Sequence, residues 1–261
     1  MLSSLYRRRL LRLHKDRMVS FLIIGVQKSG TSALYQYLCK HPQICMGETK
    51  ELHYFDNRRN FSDPGPDYGS YHRRFHPDRK TLICGEATPR YILLPEAMER
   101  IRNYNPDMRL IIILRNPVDR AFSHWQNNRQ KGREDLSFEQ AIDSEPERLG
   151  DRSPRTLASV GYLERGKYTE QIKRAFNLFT RDQCLILSAE DLNSNHMALL
   201  QRVALFLGLS PFPLVEAKQI HVGKYSDRMD QATRQKLLEH FSNEFDELEQ
   251  LLGWDLSGWR Q

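Results

Sequence analysis

The sequence predicts an α/β fold: a single domain in which a central, mainly parallel sheet is flanked by helices. Four runs rich in Ile, Leu and Val, at Phe21 to Val26, Thr81 to Cys84, Arg109 to Leu114 and Cys184 to Ser188, lack the alternation of half-exposed strands and read as strands covered on both faces. Segments with helical spacing separate these runs, as in successive βαβ units. With 261 residues, 39% hydrophobic and 28% charged, the chain can bury one substantial core and is too apolar for disorder.

Taken in order, residues 1–19 form a basic arm carrying Arg7, Arg8, Arg9 and Arg12, and residues 20–261 form the domain. No apolar stretch or small-residue cleavage site follows the arginines, which argues against a secretory signal. A solvated arm is the simple expectation for Leu5 to Arg17, and contact with an anionic membrane surface is the other. After the first strand, Ser32 to Cys39 has helical patterning, as do Asp119 to Asn128 and Tyr168 to Phe179, the last through Tyr168, Ile172, Ala175, Phe176 and Phe179. Asn57 to Arg79 and Gly132 to Arg155 read as loops, the second with a short helix at Phe138 to Ile142. Met197 to Leu207 reads as a helix stopped by Gly208, and Gln231 to Leu252 as one long helix buried through Leu237, Phe241, Phe245, Leu248 and Leu252. Tyr162 and Tyr168 are expected in the core. No repeat or linker divides the domain.

The longest apolar stretch, Val19 to Val26 interrupted by Ser20, is far short of the ~20 residues of a membrane-spanning helix. Cys39, Cys45, Cys84 and Cys184 make neither a Cys-x-x-Cys pair nor a metal-ligand spacing, which points to a reducing, cytoplasmic setting with no metal expected. A formal charge of +6 attracts anions without choosing among nucleic acid, acidic membrane and phosphorylated small molecules.

Gly25-Val26-Gln27-Lys28-Ser29-Gly30-Thr31-Ser32 lies between an apolar strand and an amphipathic helix, the place of a P-loop-like phosphate cradle. Glycine permits a tight turn, N–H groups at the helix start donate to an anion, and Lys28 adds a full charge. Lys28 precedes Gly30 where a Walker loop has lysine after the second glycine, which counts against a nucleoside triphosphatase. Asp191, after the fourth strand, is as well explained as a capping or structural carboxylate as by magnesium binding. In Lys50-Glu51-Leu52-His53-Tyr54-Phe55-Asp56, extended geometry puts Glu51 and His53 on one face, where a carboxylate beside an imidazole suits proton removal from a hydroxyl. Either residue can be the base on this pattern.

These residues resemble the sulfotransferases that use 3'-phosphoadenosine 5'-phosphosulfate (PAPS), especially the heparan sulfate sulfotransferases and their bacterial relatives. Gln27 to Leu34 is similar to the family's 5'-phosphosulfate loop, and Glu51-Leu52-His53-Tyr54-Phe55-Asp56 to the segment holding its catalytic base. Leu114-Arg115-Asn116-Pro117-Val118-Asp119-Arg120-Ala121-Phe122-Ser123 looks like the segment whose arginine and serine hold the donor's 3'-phosphate. The resemblance implies donor contacts by Gln27, Lys28, Ser29, Gly30, Thr31, Ser32, Arg115 and Ser123, and chemistry by Glu51, Lys28 and His53. His221-Val222-Gly223-Lys224-Tyr225 resembles the loop that closes over the donor, which adds Gly223, Lys224 and Tyr225, and reads equally as a surface turn. Gly85-Glu86-Ala87-Thr88-Pro89 departs from the heparan sulfate branch, with Ala87 where that branch has lysine.

The activity so implied is transfer of a sulfuryl group from PAPS to an acceptor hydroxyl, or an amine, by in-line displacement. It releases 3'-phosphoadenosine 5'-phosphate (PAP) and needs neither metal nor nucleic acid. Glycan, lipid, carrier-bound chain and small alcohol all remain as acceptors. A P-loop kinase or nucleotide hydrolase, and a noncatalytic polyanion-binding protein, are the competing readings.

Overall fold

The computed structural model describes residues 19–150, 153–216 and 228–261. These residues form two compact units, one made of 19–26, 30–114 and 175–216, the other of 27–29, 115–150, 153–174 and 228–261. The basic arm lies outside the described residues apart from Val19, which opens the first strand.

The first unit holds the sheet: β1 (Val19–Gly25), β2 (Ile44–Met46), β3 (Ile83–Ala87), β4 (Arg109–Leu114) and β5 (Cys184–Ser188), in the order β2-β3-β1-β4-β5. Every pairing is parallel. β3 is buried throughout, and β1 and β4 at every residue but one, which is why β1 and β4 are dominated by Phe, Leu and Ile. Phe21, Ile23, Ile111, Ile113 and Leu187 pack with Leu34 and Leu38 of α1 (Thr31–Leu38). Each such side chain contributes ~1.5–3 kcal/mol when fully buried.

Among the elements of this unit absent from the sequence reading are a short strand and a helix. β2 has only three residues, too few for a period to show. α2 (Pro95–Tyr104) carries a legible signal: Pro95 in the first turn, then buried Ala97, Met98, Ile101 and Tyr104 on one face. The region read as a loop at 57–79 contains a 3-10 turn at Arg58–Phe61 and a short helix at Tyr68–His72.

The second unit is helical. In α3 (Pro117–Gln130), Asn116 caps the start and Phe122 stacks on Trp125 at 5.5 Å. Ser137 and Gln140 form a capping box on α4 (Phe138–Asp143), close to the expected short helix. α5 (Tyr168–Leu178) matches the expected span within one residue and runs from the second unit into the first. α6 (His196–Leu207), in the first unit, ends on Gly208 at φ 71° as the glycine stop predicts.

The single long helix expected over 231–252 is two, α7 (Gln231–His240) and α8 (Ser242–Leu252). Phe241 between them has φ −94°, ψ 6°, off the helical region, with its ring against Gly166, where a Cβ would lie 2.8 Å from Phe241 Cζ. Leu237, Phe241, Phe245 and Leu248 stay buried across the break, so hydrophobic spacing gives no sign of it.

Gly85 stands opposite Phe21 in the ladder, and a Cβ on it would sit 2.3 Å from the Phe21 ring. Gly85→Ala is therefore expected to destabilise the protein by ~1–3 kcal/mol, the cost of overpacking a filled core, read as a lower urea midpoint at unchanged m-value.

Candidate active site

In the second unit, Gln27, Lys28 and Ser29 form a turn in which Lys28 takes φ 73°. For a residue with a Cβ this left-handed conformation costs ~1–2 kcal/mol. Ser29 is buried, and neither its Oγ nor Oε1 of Gln27 has a hydrogen-bond partner among the described residues. The unsatisfied Ser29 hydroxyl beside a lysine can donate to a polar, anionic ligand.

Arg115 follows β4 and donates from Nη1 to the Lys28 carbonyl at 3.2 Å, while its own carbonyl accepts from the Tyr168 hydroxyl at 2.9 Å. No carboxylate pairs with Arg115 among the described residues. Arg115 and Ser123 line one cavity of about 360 Å³ in this unit, with Asp119, Gln126, Arg228 and Arg234 among the other walls. Arg234 pairs with Asp119 at 2.7 Å, so Arg115 and Arg228 set the cavity's positive charge. Burial, and then the charges of Arg165, Arg120 and Lys28, hold the neighbouring His124 well below the usual histidine pKa. Its imidazole is neutral in a field of cations. Tyr162 and Tyr168 are fully buried, as core residues should be.

In the first unit, Gly30 opens α1 at φ 96°, and a Cβ there would meet Leu192 at 2.9 Å, so glycine is required on both grounds. Thr31 and Ser32 sit in the first turn of α1, where backbone N–H groups have no intrahelical acceptor. Asp191 lies in a first helical turn capped by Ser188 and stands 3.6 Å from Arg202, the structural role.

The segment around Glu51 is not the expected extended strand. Glu51 has φ 62° and His53 φ 53°, and the segment has no strand pairing, though Glu51 N–H donates to the Ala87 carbonyl at 2.9 Å. Two left-handed residues, rather than strand alternation, bring the side chains together: His53 Nε2 is 3.5 Å from Glu51 Oε2, and His53 Nδ1 is 2.8 Å from Asp56 Oδ2. Lys50 pairs with Glu51, and Arg90 Nε stands 3.5 Å from Asp56. Asp56 and Arg90 escaped the sequence reading. Asp56, three residues after His53, has a local signal, whereas Arg90 is brought in by the turn after β3 and has none.

Burial pushes the Glu51 carboxyl up, but the bond from His53 and the charge of Lys50 outweigh it and bring the pKa down to about 2. Bonds to Asp56 and then Glu51 raise His53 to about 9 against burial. At neutral pH the group is an imidazolium between two carboxylates. Behind it, the Glu86 side chain is wholly buried, and burial, partly offset by bonds from Tyr91, Thr88, Tyr71 and the Leu52 backbone, lifts its pKa to about 7.

Residues 19–244 match the family of the Sulfotransferase domain. This chain belongs to that family. The sulfotransferase is 32% identical over 210 residues to the human bifunctional heparan sulfate N-deacetylase/N-sulfotransferase 3, covering 75% of this chain and 23% of that protein. To human heparan sulfate glucosamine 3-O-sulfotransferase 5 it is 29% identical over 207 residues, covering 77% of this chain and 57% of the relative. It thus spans less than two thirds of either curated relative. The crystal structure of a sulfotransferase from Alicyclobacillus acidocaldarius superposes with a TM-score of 0.81 at 30% identity, covering 93% of this chain and 99% of that one.

The chain is therefore a member of the sulfotransferase-domain family built on a parallel α/β sheet. Gly223, Lys224 and Tyr225 lie outside the described residues. Ala87, at the position of the branch's lysine, is fully buried in the sheet core. Among the described residues no helix is long and apolar enough to cross a membrane, and no group of three or more His, Cys, Asp and Glu is arranged to hold a metal ion.

Because the His53 pKa is raised from 6.5 to about 9, its contribution to stability is complete below pH 6.5 and is lost as pH rises through 9. The depressed Glu51 pKa acts oppositely, with a contribution present above pH 4.5 and lost as pH falls through about 2. Both side chains are about two-fifths exposed, so screening keeps these effects small. A urea series from pH 6 to 10 is expected to show a decline in stability that His53→Gln flattens.

Proposed function

We propose that this sulfotransferase moves a sulfuryl group from PAPS to an acceptor hydroxyl, with Glu51 as general base and Lys28 as the charge that stabilises the leaving phosphate. The observation that carries the reading is backbone strain. Among the described residues, the non-glycine residues with left-handed φ are Lys28, Glu51 and His53. Such conformations persist where function demands them and the surroundings enforce them.

The donor brings an activated sulfur whose bond to the 5'-phosphate is ready to break. In this reading the residues Gln27 to Ser32 hold the 5' end, the orphaned Ser29 Oγ, a hydroxyl able to donate, being a supporting observation. Arg115 and Ser123 hold the 3'-phosphate, a dianion that suits a guanidinium in a positive cavity. Gly223, Lys224 and Tyr225, outside the described residues, are assigned to the nucleotide by resemblance alone. His53, protonated up to about pH 9, has no lone pair to offer at neutral pH, which favours Glu51 over His53 as base. Glu51, with a pKa of about 2, accepts the proton late, as the new sulfur–oxygen bond makes the acceptor oxygen acidic. The bond from sulfur to phosphate breaks, the bond to the acceptor forms, and Lys28 meets the charge that develops on the phosphate oxygen.

The relatives are named for heparan sulfate, so glycan chains are the acceptor class we put first, with hydroxyl and amine both open to sulfation. The buried Ala87 in place of the branch's lysine indicates that the chain so modified is recognised by other contacts than in that branch.

Thermal shift with PAP, ADP and ATP tests the donor assignment. PAP at 100 times its Kd is expected to stabilise the protein by ~2.7 kcal/mol, with much less from the other two, and Arg115→Ala is expected to remove the preference. Stabilisation by ATP alone, with magnesium-dependent hydrolysis, would instead favour the kinase reading. Glu51→Gln is expected to lower turnover by ~10²–10⁴-fold with PAP binding intact, whereas Lys28→Ala impairs both. Wild-type turnover in Glu51→Gln would remove it as the base.

A further inference from the structure

We infer that Glu86 and Tyr91 form a buried clamp that positions Glu51 and His53 by holding the backbone that follows them. The inference rests on the reading of Glu51 as the base, and it assigns to Glu86 and Tyr91 a positioning role, without contact with substrate.

The geometry is a short relay within the first unit. Glu86 and Tyr91 are both fully buried. The Tyr91 hydroxyl donates to Glu86 Oε1 at 2.7 Å and in turn accepts from the backbone N–H of Tyr54 at 3.0 Å and, more weakly, of Phe55 at 3.4 Å. The amides of Tyr54 and Phe55, which follow Glu51 and His53, thus converge on one hydroxyl that is itself held by one buried carboxylate. Glu51 and His53 themselves are left-handed, a conformation that relaxes unless it is enforced.

Stability alone does not call for this arrangement. A buried carboxylate is a weak stabiliser compared with apolar side chains of similar volume, and its value lies in fixing one geometry. Tyr71 and Thr88 also donate to Glu86, each at 3.1 Å, completing its bonding without touching an amide of the segment. That difference supplies a control: Tyr71→Phe and Tyr91→Phe each remove one hydroxyl from Glu86, but only the second releases the Tyr54 and Phe55 amides.

The test uses the full chain and its Glu86→Gln, Tyr91→Phe and Tyr71→Phe variants, with NMR titration of the His53 imidazole as the deciding readout. Release of the segment separates His53 from Glu51, so in Tyr91→Phe and Glu86→Gln the His53 pKa is expected to fall from about 9 by about one pH unit or more toward 6.5. Tyr71→Phe should leave it in place. Turnover of PAPS with desulfated heparan sulfate as the probe chain is expected to drop ~10–100-fold in kcat for the two clamp variants, with the KM for PAPS and the thermal shift by PAP unchanged. Should Glu86→Gln fail to fold, the two tyrosine variants still decide.

An unmoved His53 titration in Tyr91→Phe, or equal movement in both tyrosine variants, would overturn the clamp. Its failure differs from failure of the underlying reading. The latter shows as wild-type turnover in Glu51→Gln or no stabilisation by PAP, whatever the titration gives.

Discussion

The parallel pairing of β1 between β3 and β4 is the constraint from which the rest follows. In a sheet covered on both faces, backbone polar groups within the strands are spent on the ladder, and the side chains are mostly apolar, with the buried Glu86 of β3 as an exception. Polar chemistry gathers in the segments that leave the strands: Gln27 to Ser32 after β1, Glu51 to Asp56 after β2, Thr88 to Arg90 after β3, and Arg115 to Ser123 after β4. Ligands of open α/β sheets bind outside the carboxyl ends of strands for the same reason.

Charge is then handled differently in the two units. In the second, the charges of Arg165, Arg120 and Lys28 act on a neutral His124 while Arg115 and Arg228 line the cavity, and the field favours an anion from outside. In the first, cation and anion alternate through Lys50, Glu51, His53, Asp56 and Arg90, and the Glu51 carboxylate stays ionised down to a pH of about 2. One arrangement suits holding a phosphate, the other suits removing a proton without losing the base to protonation.

Much of this was legible in the chain. The strand Arg109 to Leu114 stands as expected, because a run of Leu and Ile covered on both faces has no competing explanation. Gly30 and Lys28 were marked by the order of glycine, lysine and hydroxyl residues between strand and helix. The proximity of Glu51 and His53 was also foreseen, but for a reason the backbone does not bear out, since strand alternation and two left-handed residues both place next-nearest neighbours together. β2 escaped because three residues carry no period, and the break at Phe241 because it preserves the hydrophobic spacing on either side.

The sequence by itself determined the class of fold and marked the candidate loop between β1 and its helix, since these depend on composition and order within a few neighbouring positions. Only the tertiary structure decided which distant partners set their chemistry. Glu86 and Tyr91 under the Glu51 segment, Arg90 beside Asp56, and Arg234 on Asp119 meet through strand register and helix packing. Electrostatic and hydrogen-bonding effects act over a few ångströms of space, and separation along the chain says nothing of those distances until the chain has folded.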